Sequence, residues 1–350
     1  MGSDNQDKDG WPTFALLVVY VHGVYMLSFL IMPTLLLMSI ISSWRYLLLP
    51  PWIAYFLWTF DRSEYRLGRP WPWLSQHAWP LQALRRYFPF TIHVPPSLAK
   101  TPDPKTGTGE ADDHPPRTKK KGPYIIAIHP HGSTSDYRII CDGLLTDHID
   151  FGFRENAESE GFPYRTLAAS SLFWFPIARE GALWTGCVDA GRRTAECVLS
   201  HGLSILVVPG GQREMLMTQC GKEIIYLKKR LGFVRLAVRH GVALVPCYVF
   251  GASDTYFTCR LLEKLREWIS ERLKLTIPLI CGAPLLMPRR IPMHMVFGDP
   301  VSPPSIERRE ERSEEQRVAE MHAAYVEAVQ RLFDEHKGKF GYGDRQLIVL

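Results

Sequence analysis

Four short apolar runs in this chain each break at a turn rich in glycine or proline. Tyr124–Ile128 leads into His129-Pro130-His131-Gly132, Ser204–Val208 into Pro209-Gly210-Gly211, Ala243–Phe250 into Gly251, and Met293–Phe297 into Gly298-Asp299-Pro300. Short apolar runs bounded by turn signals read as buried strands. Helical stretches lie between them: 190–200 closes at Gly202 and 231–240 at Gly241, both as C-caps. This alternation predicts an α/β layered sheet with largely parallel strands. Parallel strands share one C-terminal edge, and open α/β sheets bind ligands along it. All four turns are therefore expected to converge on one site.

The first 62 residues have a different character. Residues 14–31 contain no Asp, Glu, Lys or Arg; Pro33 interrupts, and 34–41 continue apolar. A second apolar run, 46–60, carries Pro50-Pro51 near its start. A helix of about 20 apolar residues spans a bilayer. The first run reaches that length; the second is short and bent by its prolines. Together they predict an N-terminal transmembrane helical hairpin within 1–62, followed by a catalytic domain over 63–350. Trp44, Trp52, Trp58, Trp71, Trp73 and Trp79 form a flank suited to headgroup level. The acidic start, Met1–Gly10, argues against a cleaved secretory signal, and Gln6 against myristoylation. The stretch 100–122 is rich in Pro, Gly and charge and is expected to be a disordered surface insertion.

Composition narrows the chemistry. A formal net charge of +5 over 350 residues is mild, and no nucleic-acid motif is present. The seven cysteines form no C-x-x-C pair and are odd in number, which fits a reducing compartment rather than a disulfide framework. No G-x-S-x-G elbow occurs, which counts against a lipase. Cys247, inside a strand candidate, reads as packing rather than as a nucleophile.

His131 is the candidate general base. A neutral imidazole held by a carboxylate takes a proton from an alcohol near neutral pH. Asp136 stands five residues on and is spaced to orient the ring across a turn. Glu214, shortly after Gly210-Gly211, is the second candidate acid. On an extended backbone His129 would share a side with His131, as a rival base or as an orienter of the loop. A zinc site needs a third protein ligand, and none has a suggestive spacing, so no metal is expected. Backbone N–H groups near Gly132 or around Pro209, Gly210 and Gly211 could hold an oxyanion or a phosphate. Lys228, Lys229, Arg230 and Arg235 are candidates for binding a polyanion such as coenzyme A.

Taken together these residues resemble the type-2 diacylglycerol acyltransferase family, which includes monoacylglycerol and wax-alcohol acyltransferases. The resemblance rests on Tyr87-Phe88-Pro89, HPHG at 129–132, VPGG at 208–211, GFVRLAVRHG at 232–241, VPCYVFG at 245–251, GDPV at 298–301 and FDEHKGKFG at 333–341, in that order. It covers the chain from about Trp44 to Gly341. It implies an endoplasmic-reticulum membrane enzyme with a cytosol-facing catalytic domain, or one at a lipid-droplet surface. It also implies acyl transfer from acyl-CoA to a lipid hydroxyl, diacylglycerol first, with no metal or redox cofactor. The functional histidine carries over as His131, and the loop acid as Glu214. Two features depart from the family pattern. Asp136 stands where many members have an apolar or Gly residue, and the insertion at 100–122 is longer than usual. A homo-oligomer is compatible with the resemblance.

Overall fold

The computed structural model describes residues 31–59, 61–100, 122–152, 161–259, 261–273, 276, 279–282, 287–304 and 312–350. The N-terminal part of the described chain forms α1 (Met32–Ile41), α2 (Arg45–Thr59), α3 (Pro72–His77) and α4 (Trp79–Tyr87). There follow β1 (Phe90–His93), β2 (Tyr124–His129), α5 (Asp136–Cys141), α6 (Leu145–His148), β3 (Tyr164–Ala168), α7 (Ala178–Trp184), β4 (Cys187–Asp189), α8 (Arg192–Ser200) and β5 (Ser204–Val207). The remainder comprises α9 (Gly211–Met217), β6 (Glu223–Ile225), α10 (Gly232–His240), β7 (Ala243–Phe250), β8 (Phe257–Thr258), α11 (Glu263–Leu273), β9 (Ile280–Cys281), β10 (Met293–Phe297), α12 (Glu314–Lys337) and β11 (Leu347–Val349).

Seven strands build one sheet in the order β1-β10-β7-β2-β5-β3-β4. β7, β2, β5, β3 and β4 run parallel. β10 is antiparallel to β7, and β1 is parallel to β10. The fold is mixed α/β with a mostly parallel sheet. The expected convergence of four turns therefore holds for three. His129–Gly132, Val208–Gly211 and Gly251 leave one edge, whereas the reversed β10 sends Gly298-Asp299-Pro300 to the other. There Val301 pairs with Leu244, near the start of β7.

The central strands read as continuous apolar runs because helices cover both faces of the sheet. Side chains alternate between faces along a strand. On β2, Ile125 and Ala127 join the core under α10 and α12, with Val234, Ala237, Val329 and Phe333. Ile126 and Ile128 join the opposite core, with Leu84, Tyr137, Ile140 and Met295. This parity assigns His129 to the α12 face before any chemistry is considered.

Of the expected hairpin, residues 14–30 lie outside the described residues, as do 101–121 of the insertion. No helix among the described residues is long and apolar enough to cross a membrane. α2 continues through Pro50 and Pro51. α1 buries only Ser39 and α2 buries nothing; Leu37, Met38, Ile41, Leu47, Ile53 and Leu57 are exposed. Polar contacts hold these helices to the rest of the chain. Tyr55 donates its hydroxyl to Glu180 Oε2 at 2.8 Å. The buried Arg179 guanidinium reaches Asp61 at 3.0 Å, Glu64 at 2.7 Å and Glu180 at 3.1 Å.

Candidate active site

The two histidines of the HPHG turn part company. His129 is fully buried at the end of β2. Its Nε2 lies 3.1 Å from the hydroxyl of Tyr325 on α12, and that hydroxyl donates to the Ala127 carbonyl at 3.1 Å. The tyrosine oxygen thus accepts from His129 Nε2–H. Burial pushes the His129 imidazole down to about 3, so it stays neutral. The expectation that His129 shares a side with His131 fails because Pro130–Gly132 turns rather than extends. Gly132 has φ +66°, and a Cβ there would sit 2.9 Å from the Ala252 carbonyl oxygen. Tyr325→Phe would leave the buried His129 N–H without its acceptor. The expected cost is about 1–3 kcal/mol of stability, read as earlier thermal inactivation with the pH dependence of kcat unchanged.

His131 is half-buried. Its Nδ1 lies 3.0 Å from the Gly132 carbonyl and 3.1 Å from Ser135 Oγ. Ser135 gives its own proton to the His131 carbonyl at 2.9 Å. Both neighbours of Nδ1 therefore act as acceptors, which fixes the ring proton on Nδ1 and leaves the Nε2 lone pair basic. Burial holds this imidazole below its ordinary value, so it is neutral at neutral pH.

Neither carboxylate meets the ring. Asp136 begins α5 and is buried, facing the hydroxyls of Thr134 and Tyr256; burial pushes it up to about 6. The orienting position expected for Asp136 is occupied instead by Ser135 Oγ and the Gly132 carbonyl. Ser135 stands at φ +54°, and this left-handed turn brings its hydroxyl under the imidazole and carries Asp136 into α5.

Glu214 has no exposed surface and grips backbone. One oxygen accepts the His131 N–H in a short bond, and the other accepts the Tyr226 N–H at 2.6 Å. Burial drives this carboxyl up to about 7, against the lowering pull of those two N–H groups and of Arg230. The P-G-G-x-x-E spacing now has a physical reason. Glu214 folds back beneath Gly210, where a Cβ would lie 2.0 Å from Oε2. Gly211 starts α9 at φ +55° and donates its N–H to the Val208 carbonyl at 3.2 Å. That N–H is engaged in the turn, so Gly132 is the better oxyanion candidate of the two. Pro209 is half-buried in the same turn.

The basic candidates divide. Arg230 donates to the Gly210 carbonyl at 2.9 Å and covers the Tyr226 ring, which Arg213 also approaches. Arg235 turns to Glu314 at 3.6 Å, on the α12 side. Lys228 and Lys229 are exposed in the turn before α10. Among the described residues no group of three or more His, Cys, Asp or Glu is placed to hold a metal. Sequence reasoning does not find Ser135, Tyr226 or Tyr325. Ser135 is masked by its acidic neighbour, and the other two are brought in by the fold from distant sequence.

A family model described as "Diacylglycerol acyltransferase" matches residues 114–350. The chain is 33% identical over 245 residues to acyl-CoA wax alcohol acyltransferase 2 of Mus musculus, covering 65% of this chain and 69% of that one. It is 31% identical over 247 residues to diacylglycerol O-acyltransferase 2 of Xenopus tropicalis, with coverages of 65% and 64%. It is 27% identical over 350 residues to 2-acylglycerol O-acyltransferase 1 of Mus musculus, with coverages of 93% and 92%. A match that runs unbroken from residue 114 through the HPHG turn, the Glu214 loop and α12 means that the chain belongs to the diacylglycerol acyltransferase family.

Proposed function

We propose that this acyltransferase moves a fatty acyl group from acyl-CoA to the free hydroxyl of diacylglycerol, giving triacylglycerol and CoA. The observation that carries the reading is the His131 ring, with Nδ1 engaged and Nε2 basic on the ligand-binding edge of the sheet. Nε2 removes the hydroxyl proton as the alcohol oxygen attacks the thioester carbonyl. The C–S bond then breaks, and the CoA thiolate takes the proton from the imidazolium. The proton that Nδ1 shares with Ser135 and Gly132 stays in place throughout. The Gly132 N–H supports the oxyanion of the tetrahedral intermediate. Glu214 acts on the backbone of His131 rather than on the proton, and Asp136 supports the start of α5. Arg230, beside the Gly210 carbonyl, is the best placed of the basic residues for the CoA phosphates. The chemistry is acid–base and calls for no metal or redox group.

Residues 1–62 act as a membrane-embedded hairpin and 63–350 as the catalytic domain. The support is physical: α1 and α2 expose apolar side chains around most of their surface, and such helices need a lipid environment. The matching location is the endoplasmic-reticulum membrane or a lipid-droplet surface, with the catalytic domain in the cytosol, where seven free thiols stay reduced. The full chain is expected to resist alkaline carbonate extraction; release by carbonate would remove the hairpin from this account.

A second acceptor class has its own support, since the relative at 33% identity is named for wax alcohols. The deciding experiment offers labelled acyl-CoA to membranes bearing the full chain, with diacylglycerol, 2-monoacylglycerol or a long-chain alcohol as acceptor. Triacylglycerol is the expected main product. Wax ester as main product would transfer the assignment to alcohols, and no acceptor-dependent product would overturn the enzyme reading of His131.

A further inference from the structure

Between the N-terminal helices and the catalytic domain lies a cavity of about 380 Å³ that the chemistry above does not use. Met32 of α1, Trp52 and Tyr55 of α2, and Ile177, Glu180 and Trp184 of the α7 region line it. Its volume falls within the roughly 300–1,000 Å³ of small-molecule sites. The polar groups at its wall satisfy one another. Glu180 Oε2 accepts both the Tyr55 hydroxyl at 2.8 Å and the Ile177 N–H at 3.0 Å. What remains facing the space is hydrocarbon and indole.

The wall is also built under strain. Ile177 has φ +71°, an uncommon conformation for a β-branched residue that persists only where its surroundings enforce it. The enforcing contacts are its bond to Glu180 and the clamp of Arg179 on Asp61, Glu64 and Glu180. The wall continues into an aromatic face. Trp71 donates its backbone N–H to the Trp184 carbonyl at 2.8 Å, and the two rings stand 5.8 Å apart. Trp71, Trp73 and Trp174 are exposed. On one side the cavity meets helices that are apolar around most of their surface. On the other, the loop reaching Ile177 leaves β3 on the same sheet edge as the HPHG turn, with only β5 between β3 and β2. That separation is two strand spacings, roughly 10 Å.

We infer that this cavity binds an aliphatic chain of a neutral lipid, received from the lipid phase around α1 and α2 and held beside the catalytic edge. The assignment of that lipid as the acyl acceptor rests on the proposed function. The test uses the full chain in phospholipid vesicles with a diacylglycerol that carries a diazirine in one chain. After irradiation, the labelled peptides are mapped by mass spectrometry. The expected result is labelling at Trp52, Ile177 or Trp184 that unlabelled diacylglycerol suppresses and that Met32→Trp, which fills the space, also suppresses. Met32→Trp should raise KM for the acceptor about tenfold or more, the scale of a blocked hydrophobic pocket, with KM for acyl-CoA unchanged. Three results overturn the inference. They are labelling confined to other segments, labelling that neither competitor nor variant reduces (general immersion in lipid), and cross-links showing residues 1–30 seated against Trp184. Competition on the wild-type chain needs no variant, so a misfolded Met32→Trp leaves the test intact. Labelling needs no turnover either. Competed labelling without acylation of diacylglycerol would sink the acceptor assignment and leave the lipid site standing.

Discussion

His131→Ala is expected to leave the chain in membranes and to lower kcat by roughly 10²–10⁴-fold, the usual contribution of a general base. The other imidazole of the turn, His129, is fully buried with its Nε2 on Tyr325, so it cannot replace this half-buried ring. KM values should change little, because the imidazole acts on a proton in flight rather than on the bound ground state. The wild-type pH profile carries a second signature. Burial lowers the imidazole below its ordinary 6.5. The base works only when deprotonated, so kcat should fall as pH drops through that lowered value, with the acidic limb below pH 6.5. His129→Ala should behave differently. It removes a buried ring held by Tyr325, so it should cost stability while leaving the acidic limb where it was. A His131→Ala enzyme as fast as wild type at matched protein level would end the base assignment.

How much of this was readable beforehand depends on whether local pattern or tertiary contact decides each feature. β2, β5, β7 and β10 were legible because central strands covered on both faces are apolar throughout. β3 was not, because Arg165 sits inside it. That arginine is buried, and its guanidinium is satisfied by the carbonyls of Phe162 and Tyr164 at 2.6 and 2.8 Å. Sequence pattern reads such a charge as solvent-facing. β4 has three residues, too few for any period. The reversal of β10 was invisible, since a strand's apolar run does not encode its direction. At the site, the turn, the base and the Glu214 loop were legible as motifs, whereas their connections were not. The His-to-Asp spacing pointed to Asp136. A left-handed Ser135 moved that carboxyl away and put a hydroxyl in its place, and only backbone dihedrals reveal this.

Glu214→Gln is expected to lower kcat by about 10²-fold, while Asp136→Asn stays near wild type. The Glu214 carboxylate uses one oxygen for each of two backbone donors, His131 N–H and Tyr226 N–H. A glutamine offers one oxygen and turns an NH₂ toward the other donor, leaving a buried N–H facing N–H. The HPHG turn then loses its grip on the strand segment behind it, and a base displaced by about 1 Å costs on the order of 10² in rate. Gly210→Ala should reproduce the loss, because its Cβ would occupy the space of Glu214 Oε2. The double variant should be little worse than either single one, since both break the same contact. Stability supplies an independent reading. The folded chain raises this carboxyl from 4.5 to about 7, so it holds the proton more tightly than the unfolded chain does. Its contribution is full at acid pH and is lost as pH rises from about 4.5 through 7. Glu214→Gln should flatten that part of the pH–stability curve, even though Asp136 and Asp142, both raised to about 6, still slope the same way. If Glu214→Gln keeps near-normal kcat and Asp136→Asn collapses it, the carboxylate at the ring is Asp136, and the grip of Glu214 on the turn is dispensable to catalysis.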